Sequence, residues 1–277
     1  MSIDLMIITN DPGIAQIAEE AGVERIFLDY EMLGKEERQG HLDTHIAQHS
    51  FSDINSVQKA TDNCDVMARI NPVHDNTQDE IEKAIEHGAD TIMLPMFKTV
   101  DEIKRFVDLV HGRVNTSLLL ETAPAMVRAR EIADVEGIDE IHIGLNDLHL
   151  SMELDFMFEP LSGGIVEYLS NIFKKRNIRW GFGGIAKIGE GDLPAEHILA
   201  EHVRLDSQMV ILSRTFHEKS KTVEELEERV NFAEEVAKLR EKEKEIRNWP
   251  EEKFEENQRV INEKVKEIVY NIRSDNS

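Results

Sequence analysis

Two carboxylates in this chain stand where carboxylates are costly. Glu121 follows directly on the apolar run "SLLL", and Asp147 follows "EIHIGLN". Each comes just past a stretch apolar enough for a buried strand. If those strands are neighbours, their ends lie about 4.8 Å apart, and both acids reach one cation. Two carboxylates, several waters and a chelating substrate make a near-octahedral oxygen shell, which suits Mg²⁺ or Mn²⁺. Taken singly, Glu121 also reads as a capping acid for the helix expected at 124, and Asp147 as a loop residue. No His or Cys cluster has the spacing of a usual zinc site.

A third charge belongs with them. Arg69 closes the run "DVMAR". A guanidinium at the end of a core strand needs a partner, because a buried unpaired charge is costly. The candidates are Asp29 and Glu31 in "IFLDYEM", or an anionic substrate. The guanidinium fork suits a carboxylate or an enolate oxygen; a structural ion pair with Glu31 is the alternative. The glycines of "GFGGIAKIGEG" and the turn "LSRTF", with Arg214, form a cradle for phosphate or carboxylate, unless they are only turns. In "GHLDTHIAQHS", His41, His45 and His49 recur every four residues, on one helical face. A metal site of three His has no carboxylate at the matching interval; one of them reaching the rim as a general base is the favoured reading. His142 reads as a barrel-core or rim residue, and His149 as a group behind a ligand.

Elements must position these residues. Apolar runs at 5–9, 25–30, 65–70, 91–95, 117–122, 140–144, 179–184 and 209–213 read as strands. Between them, amphipathic stretches at 13–21, 52–62, 78–87, 99–111, 124–136, 163–176, 194–203 and 222–243 read as helices. Thr77, Thr99 and Pro194 mark helix starts, and Gly22, Gly88 and Gly137 mark stops. Eight alternating pairs predict an α/β chain folded as a (β/α)₈ TIM barrel, with the site at the C-terminal ends of the strands. An open doubly wound sheet is the competitor. The expected division is a barrel core over 1–221, then 222–277 as the last barrel helix plus a charged helical C-terminal extension. Pro250 breaks that extension in two. Its second helix carries an apolar stripe of Phe254, Val260, Ile261, Val265, Ile268 and Val269. The stripe is expected to meet a partner subunit, hence a homo-oligomer; a solvated tail is the alternative.

The 277 residues carry a formal charge of −23, from 32 basic and 55 acidic side chains. That disfavours nucleic acid, whose nonspecific binding rests on Lys and Arg. An anionic substrate would then need a local positive centre, an arginine or a metal ion. No run approaches the roughly 20 apolar residues that span a bilayer, and the start "MSIDLMIITNDPG" lacks a basic leader. A single cysteine, Cys64, excludes an internal disulfide and suits a reducing compartment. These features predict a cytoplasmic protein with no membrane partner.

The segments "IFLDYEM", "MARINP", "GADTIMLPMFKTVDEI" and "LLLETAPAMVRAREIADVEGIDEIHIGLNDL" resemble the HpcH/HpaI aldolase/citrate lyase family, of the pyruvate/phosphoenolpyruvate-binding barrel superfamily. The similarity runs over about residues 20 to 155 and is strongest over 118–148. Beyond it, "MFEPLSGG" and "VILSRTF" look like a divergent branch, of a kind associated with bacterial surface-polysaccharide metabolism. The resemblance implies a lyase of aldolase type in which Glu121 and Asp147 hold Mg²⁺ or Mn²⁺, a 2-oxo acid such as pyruvate or phosphoenolpyruvate chelates the ion, and Arg69 stabilises the enolate. Asp29 and Glu31 would order water or the base; Gly144, Asn146, Gly183, Gly184 and Arg214 would hold the acid, with an aldehyde as second substrate. One departure matters. Family aldolases carry Asp–Gly–Glu–His after the second strand, whereas this chain has Asp29–Tyr30–Glu31–Met32. Methionine takes no proton, so either His49, His45 or Glu31 is the base or the reaction differs. The alternatives are an enolate enzyme for a phosphorylated or acyl-thioester substrate, and a non-catalytic protein that binds metal and 2-oxo acid.

Overall fold

The computed structural model describes residues 2–33, 50–218 and 220–275. Eight strands close into one barrel in chain order. They are β1 (Asp4–Ile8), β2 (Arg25–Asp29), β3 (Asp65–Arg69), β4 (Thr91–Leu94), β5 (Asn115–Leu120), β6 (Glu140–Ile143), β7 (Arg179–Ile185) and β8 (Met209–Leu212). Every neighbouring pair is parallel, and β1 pairs with β8. The fold is the (β/α)₈ barrel, not the open sheet.

Strand parity explains what fills it. Alternate side chains point inward. At the bottom, Arg25 pairs with Glu140 and, at 2.8 Å, with Asp65; Arg179 pairs with Asp4 and, at 3.0 Å, with Glu140. Above this ionic plug lies an apolar layer of Met6, Phe27, Met67, Met93, Leu119 and Met209. The next inward positions are Asp29 and Arg69, with Glu121 just past β5. The floor is thus sealed, and polar chemistry is left to the upper rim.

The helices follow local signals. Around the barrel run α1 (Pro12–Glu20), α2 (Ser52–Ala60), α3 (Thr77–Glu86), α4 (Val100–Val110), α5 (Ala123–Val127) and α6 (Ala129–Ala133). Then come α7 (Leu145–Ser151), α8 (Glu159–Ser162), α9 (Ile165–Lys175) and α10 (Ala195–Arg204). Asp11 caps α1 through Ile14 N–H, and Thr99 and Glu102 form a capping box on α4. The helix expected over 124–136 is two short helices meeting at Arg128.

The helix expected over 222–243 is also two, α11 (Val223–Arg229) and α12 (Phe232–Ile246). Asn231 starts the second by accepting from Glu234 N–H. After Pro250 comes α13 (Glu251–Asp275). Its stripe does not wait for a partner. Phe254, Ile261 and Val265 are buried in the chain's own core, with Ile268 and Val269 packed against it. The neighbours are α8 and α10. Asn257, also buried, donates to the His197 carbonyl at 3.2 Å and bonds the ring Nδ1 at 2.7 Å. The expectation of a homo-oligomer therefore loses the stripe as its argument. Among the described residues, no helix is long and apolar enough to cross a membrane.

Candidate active site

The upper rim holds a cavity of about 220 Å³. Arg69, Glu121, Gly144, Asn146, Asp147, Gly183 and Gly184 all line it, with Leu119, His142 and Met157 among the rest. Arg69, Glu121 and Gly144 come from strand ends, Asn146 and Asp147 from the start of α7, and Gly183 and Gly184 from the upper part of β7. Glu121 is the first residue past β5 and is only 2% exposed. It does not cap the following helix; Thr122 does, accepting from Ala125 N–H at 3.2 Å. The Glu121 Oε1 accepts from Met96 N–H at 3.1 Å. Its Oε2 lies over Gly144, where a Cβ would come within 2.9 Å of it. Glycine at 144 is therefore a steric requirement of the carboxylate. Asp147 sits in the first turn of α7, not in a loop.

The electrostatics are crowded with negative charge. Burial, before all else, pushes the Glu121 carboxyl well above the usual carboxylate range. Arg69 opposes that rise, while Asp147 and Glu31 add to it. Arg69 donates through Nε to Asp29 Oδ1 at 2.9 Å and through Nη2 to Asp29 Oδ2 at 2.7 Å. Glu31 stands 3.5 Å from the same Nη2. Burial works against the guanidinium charge, but Asp29, then Glu31 and Glu121, outweigh it and hold Arg69 firmly protonated. Of the two expected partners, Asp29 takes the guanidinium in a bidentate pair and Glu31 stands at a longer distance. Arg69 Nη1 makes no hydrogen bond among the described residues.

This donor set fits a hard divalent cation. Glu121 and Asp147 offer oxygen only, and an added positive charge relieves the strain on a carboxylate buried beside other carboxylates. No larger cluster competes, since no group of three or more His, Cys, Asp or Glu among the described residues is arranged to hold a metal.

Other expected residues go elsewhere. Arg214 is exposed and lines a separate depression with Lys187, Glu190, Thr215 and Glu218. There Lys187 is paired with Glu218 at 2.9 Å and Glu190 at 3.2 Å, so acids take up much of the charge a phosphate would need. His149 bonds to the Leu145 carbonyl of its own helix at 3.3 Å. His41, His45 and His49 lie outside the described residues. Met32 is exposed at the rim, its N–H held by Asn71 Oδ1 at 2.8 Å. Sequence reasoning missed Met96, whose N–H reaches Glu121 from a backbone with a left-handed φ of 55°. No residue type announces that in advance. Met157 was missed as well, lying beyond the recognisable block.

Residues 9–156 match the sequence model of the HpcH/HpaI aldolase/citrate lyase family. No curated protein matches the chain. Among solved structures, an HpcH/HpaI aldolase from Desulfitobacterium hafniense DCB-2 is 16% identical with a TM-score of 0.58, over 76% of this chain and 86% of that one. The protein CitE from Mycobacterium tuberculosis, solved in complex with magnesium and pyruvate, is 12% identical with a TM-score of 0.59, over 87% and 90%. Likenesses at such low identity speak for the shared barrel. The sequence match goes further, running from the end of β1 through α7 and taking in Arg69, Glu121, Gly144 and Asp147. With more than half its length inside that match, the chain belongs to the HpcH/HpaI aldolase/citrate lyase family.

Proposed function

We propose that the protein is a metal-dependent carbon–carbon lyase working through the enolate of a pyruvate-like 2-oxo acid. One observation carries this reading: the buried Glu121 carboxylate, Asp147 and Arg69 line a single cavity sealed from below. CitE, a structural neighbour, was solved with magnesium and pyruvate, and we extend that pairing to this cavity. Glu121 and Asp147 would hold Mg²⁺ or Mn²⁺. The bound ion supplies a Lewis acid to the carbonyl oxygen of the acid.

The chain's own groups do the rest. Breaking the bond next to that carbonyl builds negative charge on its oxygen, and Arg69 is a fixed cation on the same cavity. Asp29 occupies Nε and Nη2 of Arg69, which orients the guanidinium before substrate arrives. Glu31 orders water or serves as base. Gly144, Asn146, Gly183 and Gly184 hold the acid's oxygens, and an aldehyde, a sugar aldehyde of surface-polysaccharide metabolism among them, is the second substrate. All of these residues fall in the proposed barrel core, 1–221, apart from the C-terminal part, 222–277. A single thiol without a disulfide partner supports a cytoplasmic setting.

A second reading has its own observation. Met32 stands exposed where a proton-transferring histidine would serve, which favours a protein that binds metal and 2-oxo acid without turnover. Proton NMR of pyruvate in D₂O separates the two. The lyase exchanges the methyl protons with Mg²⁺ or Mn²⁺ present and stops when EDTA is added. Binding of Mn²⁺ and pyruvate without exchange favours the binding protein. Failure to bind Mn²⁺ at all removes both.

A further inference from the structure

One polar side chain interrupts the apolar layer beneath the cavity. His142 lies in β6 between Leu119 of β5 and Gly181 of β7, and it is fully buried. Its neighbours in that layer are methionines, a phenylalanine and a leucine. An imidazole among them needs a reason. The reason lies in β7. There the register slips, with Gly181 opposite Met209 and Gly184 opposite Ile211, so three steps on one strand match two on the other. This is a β-bulge. Within it Gly183 adopts a φ of 55°, and a Cβ there would also meet Leu145 at 3.0 Å. His142 Nε2 lies 2.9 Å from the Gly183 carbonyl oxygen. Since that oxygen can only accept, Nε2 carries the proton and donates.

We infer that His142 is a positioning residue for the candidate active site: its Nε2–H holds the Gly183 carbonyl and so fixes the bulged wall that Gly183 and Gly184 present to the cavity. The inference rests on the reading that this wall receives the oxygens of a 2-oxo acid. Three facts support it besides the bond itself. His142, Gly183 and Gly184 line the same cavity as Glu121 and Asp147. Burial keeps the imidazole neutral, with a pKa lowered to about 4, so one nitrogen is a donor at every physiological pH. The other nitrogen, Nδ1, has no partner among the described residues, so the Gly183 bond alone sets the ring's hydrogen-bonded orientation.

The test uses the full chain and the variants His142→Leu and His142→Gln, the second of which keeps an amide donor. Mn²⁺ affinity, pyruvate affinity of the Mn²⁺-loaded protein and amide hydrogen exchange over residues 179–186 are measured for each. His142→Leu is expected to leave Mn²⁺ affinity unchanged, to weaken pyruvate roughly tenfold, the size of one lost hydrogen bond, and to speed exchange over 179–186. His142→Gln should recover part of both losses. Equal loss of Mn²⁺ and pyruvate, or unchanged exchange and pyruvate affinity in His142→Leu, overturns the inference. If wild type binds no Mn²⁺ or pyruvate, the reading of the site fails, while exchange over 179–186 still decides whether His142 holds the bulge. Should His142→Leu not fold, ¹⁵N NMR of the wild-type imidazole decides instead: a proton fixed on Nε2 across pH 5.5–8 upholds the bond, and a proton on Nδ1 excludes it.

Discussion

A carboxyl group buried beside two others holds a proton more readily than a charge. Glu121 is in that position, raised first by burial and then by Asp147 and Glu31. The sign of the linkage follows. A raised folded pKa gives stability that is complete below the unfolded value near 4.5 and is lost as pH rises through the folded value. In EDTA, Glu121→Gln should therefore melt no lower than wild type at pH 5 and higher than wild type at pH 8. Mn²⁺ at about 100 times its dissociation constant stabilises a single-site protein by about 2.7 kcal/mol. Wild type should show that gain in its melting temperature and Glu121→Gln should not. A variant that melts well below wild type in EDTA would mean that the carboxylate is a structural group and no metal ligand. The three charged residues of the cavity were legible in the sequence because charge directly after a core strand is rare enough to stand out. Arg214 was placed wrongly for the same reason, since a strand count says which rim a residue occupies but not which depression on it.

At the scale of elements, the site depends on how the segment after β2 is tied down. Asn71, just past β3, accepts from Met32 N–H and Leu33 N–H, both at 2.8 Å. Its own amide donates to Glu80 Oε1 at 2.7 Å, and Glu80 Oε2 accepts from Asn71 N–H at 3.1 Å. One side chain thus fastens the segment carrying Glu31 to α3. Asn71→Ala removes the three side-chain bonds, each worth about 1 kcal/mol or less, and keeps the backbone bond to Glu80. The fold should survive with a loss of about 1–2 kcal/mol, while amide exchange over residues 30–33 accelerates. Exchange of the pyruvate methyl protons should slow by more than Mn²⁺ binding weakens. If the exchange rate holds while residues 30–33 loosen, Glu31 has no part in the chemistry. The strands were legible to within about two residues because buried parallel strands read as continuous apolar runs. The short helices α7 and α8 were not, since 7 and 4 residues are too few to show a helical period. The β7 bulge left only a trace, the glycines of "GFGG", which a turn would explain equally well.

For the whole molecule, two buried histidines, His142 inside the barrel and His202 on α10, set the response to acid. His142 has its pKa lowered by burial to about 4, and His202 is pushed well below the usual value by burial and then by His142. Both take up protons more readily once unfolded. Their contribution to stability is complete above the unfolded value near 6.5 and is lost as pH falls towards the folded values. One group shifted from 6.5 to about 4 is linked to roughly 3 kcal/mol. The ionic plug responds later. Glu140 is raised by burial but brought below its usual value by Arg25 and Arg179, so its share is lost only as pH drops below about 4.5. Acid unfolding should begin between pH 6.5 and 4.5, before most carboxylates titrate, and His142→Leu should flatten that first part of the curve. Unfolding free energies from urea titrations at half-unit pH steps would show it. Added salt distinguishes this origin from the loss of surface ion pairs, because screening acts on exposed charges and hardly on buried groups. In Glu121→Gln, which lacks the carboxyl whose contribution runs the other way, a curve level from pH 6.5 to 4.5, or a decline that 0.5 M NaCl abolishes, would show that the buried imidazoles do not govern it.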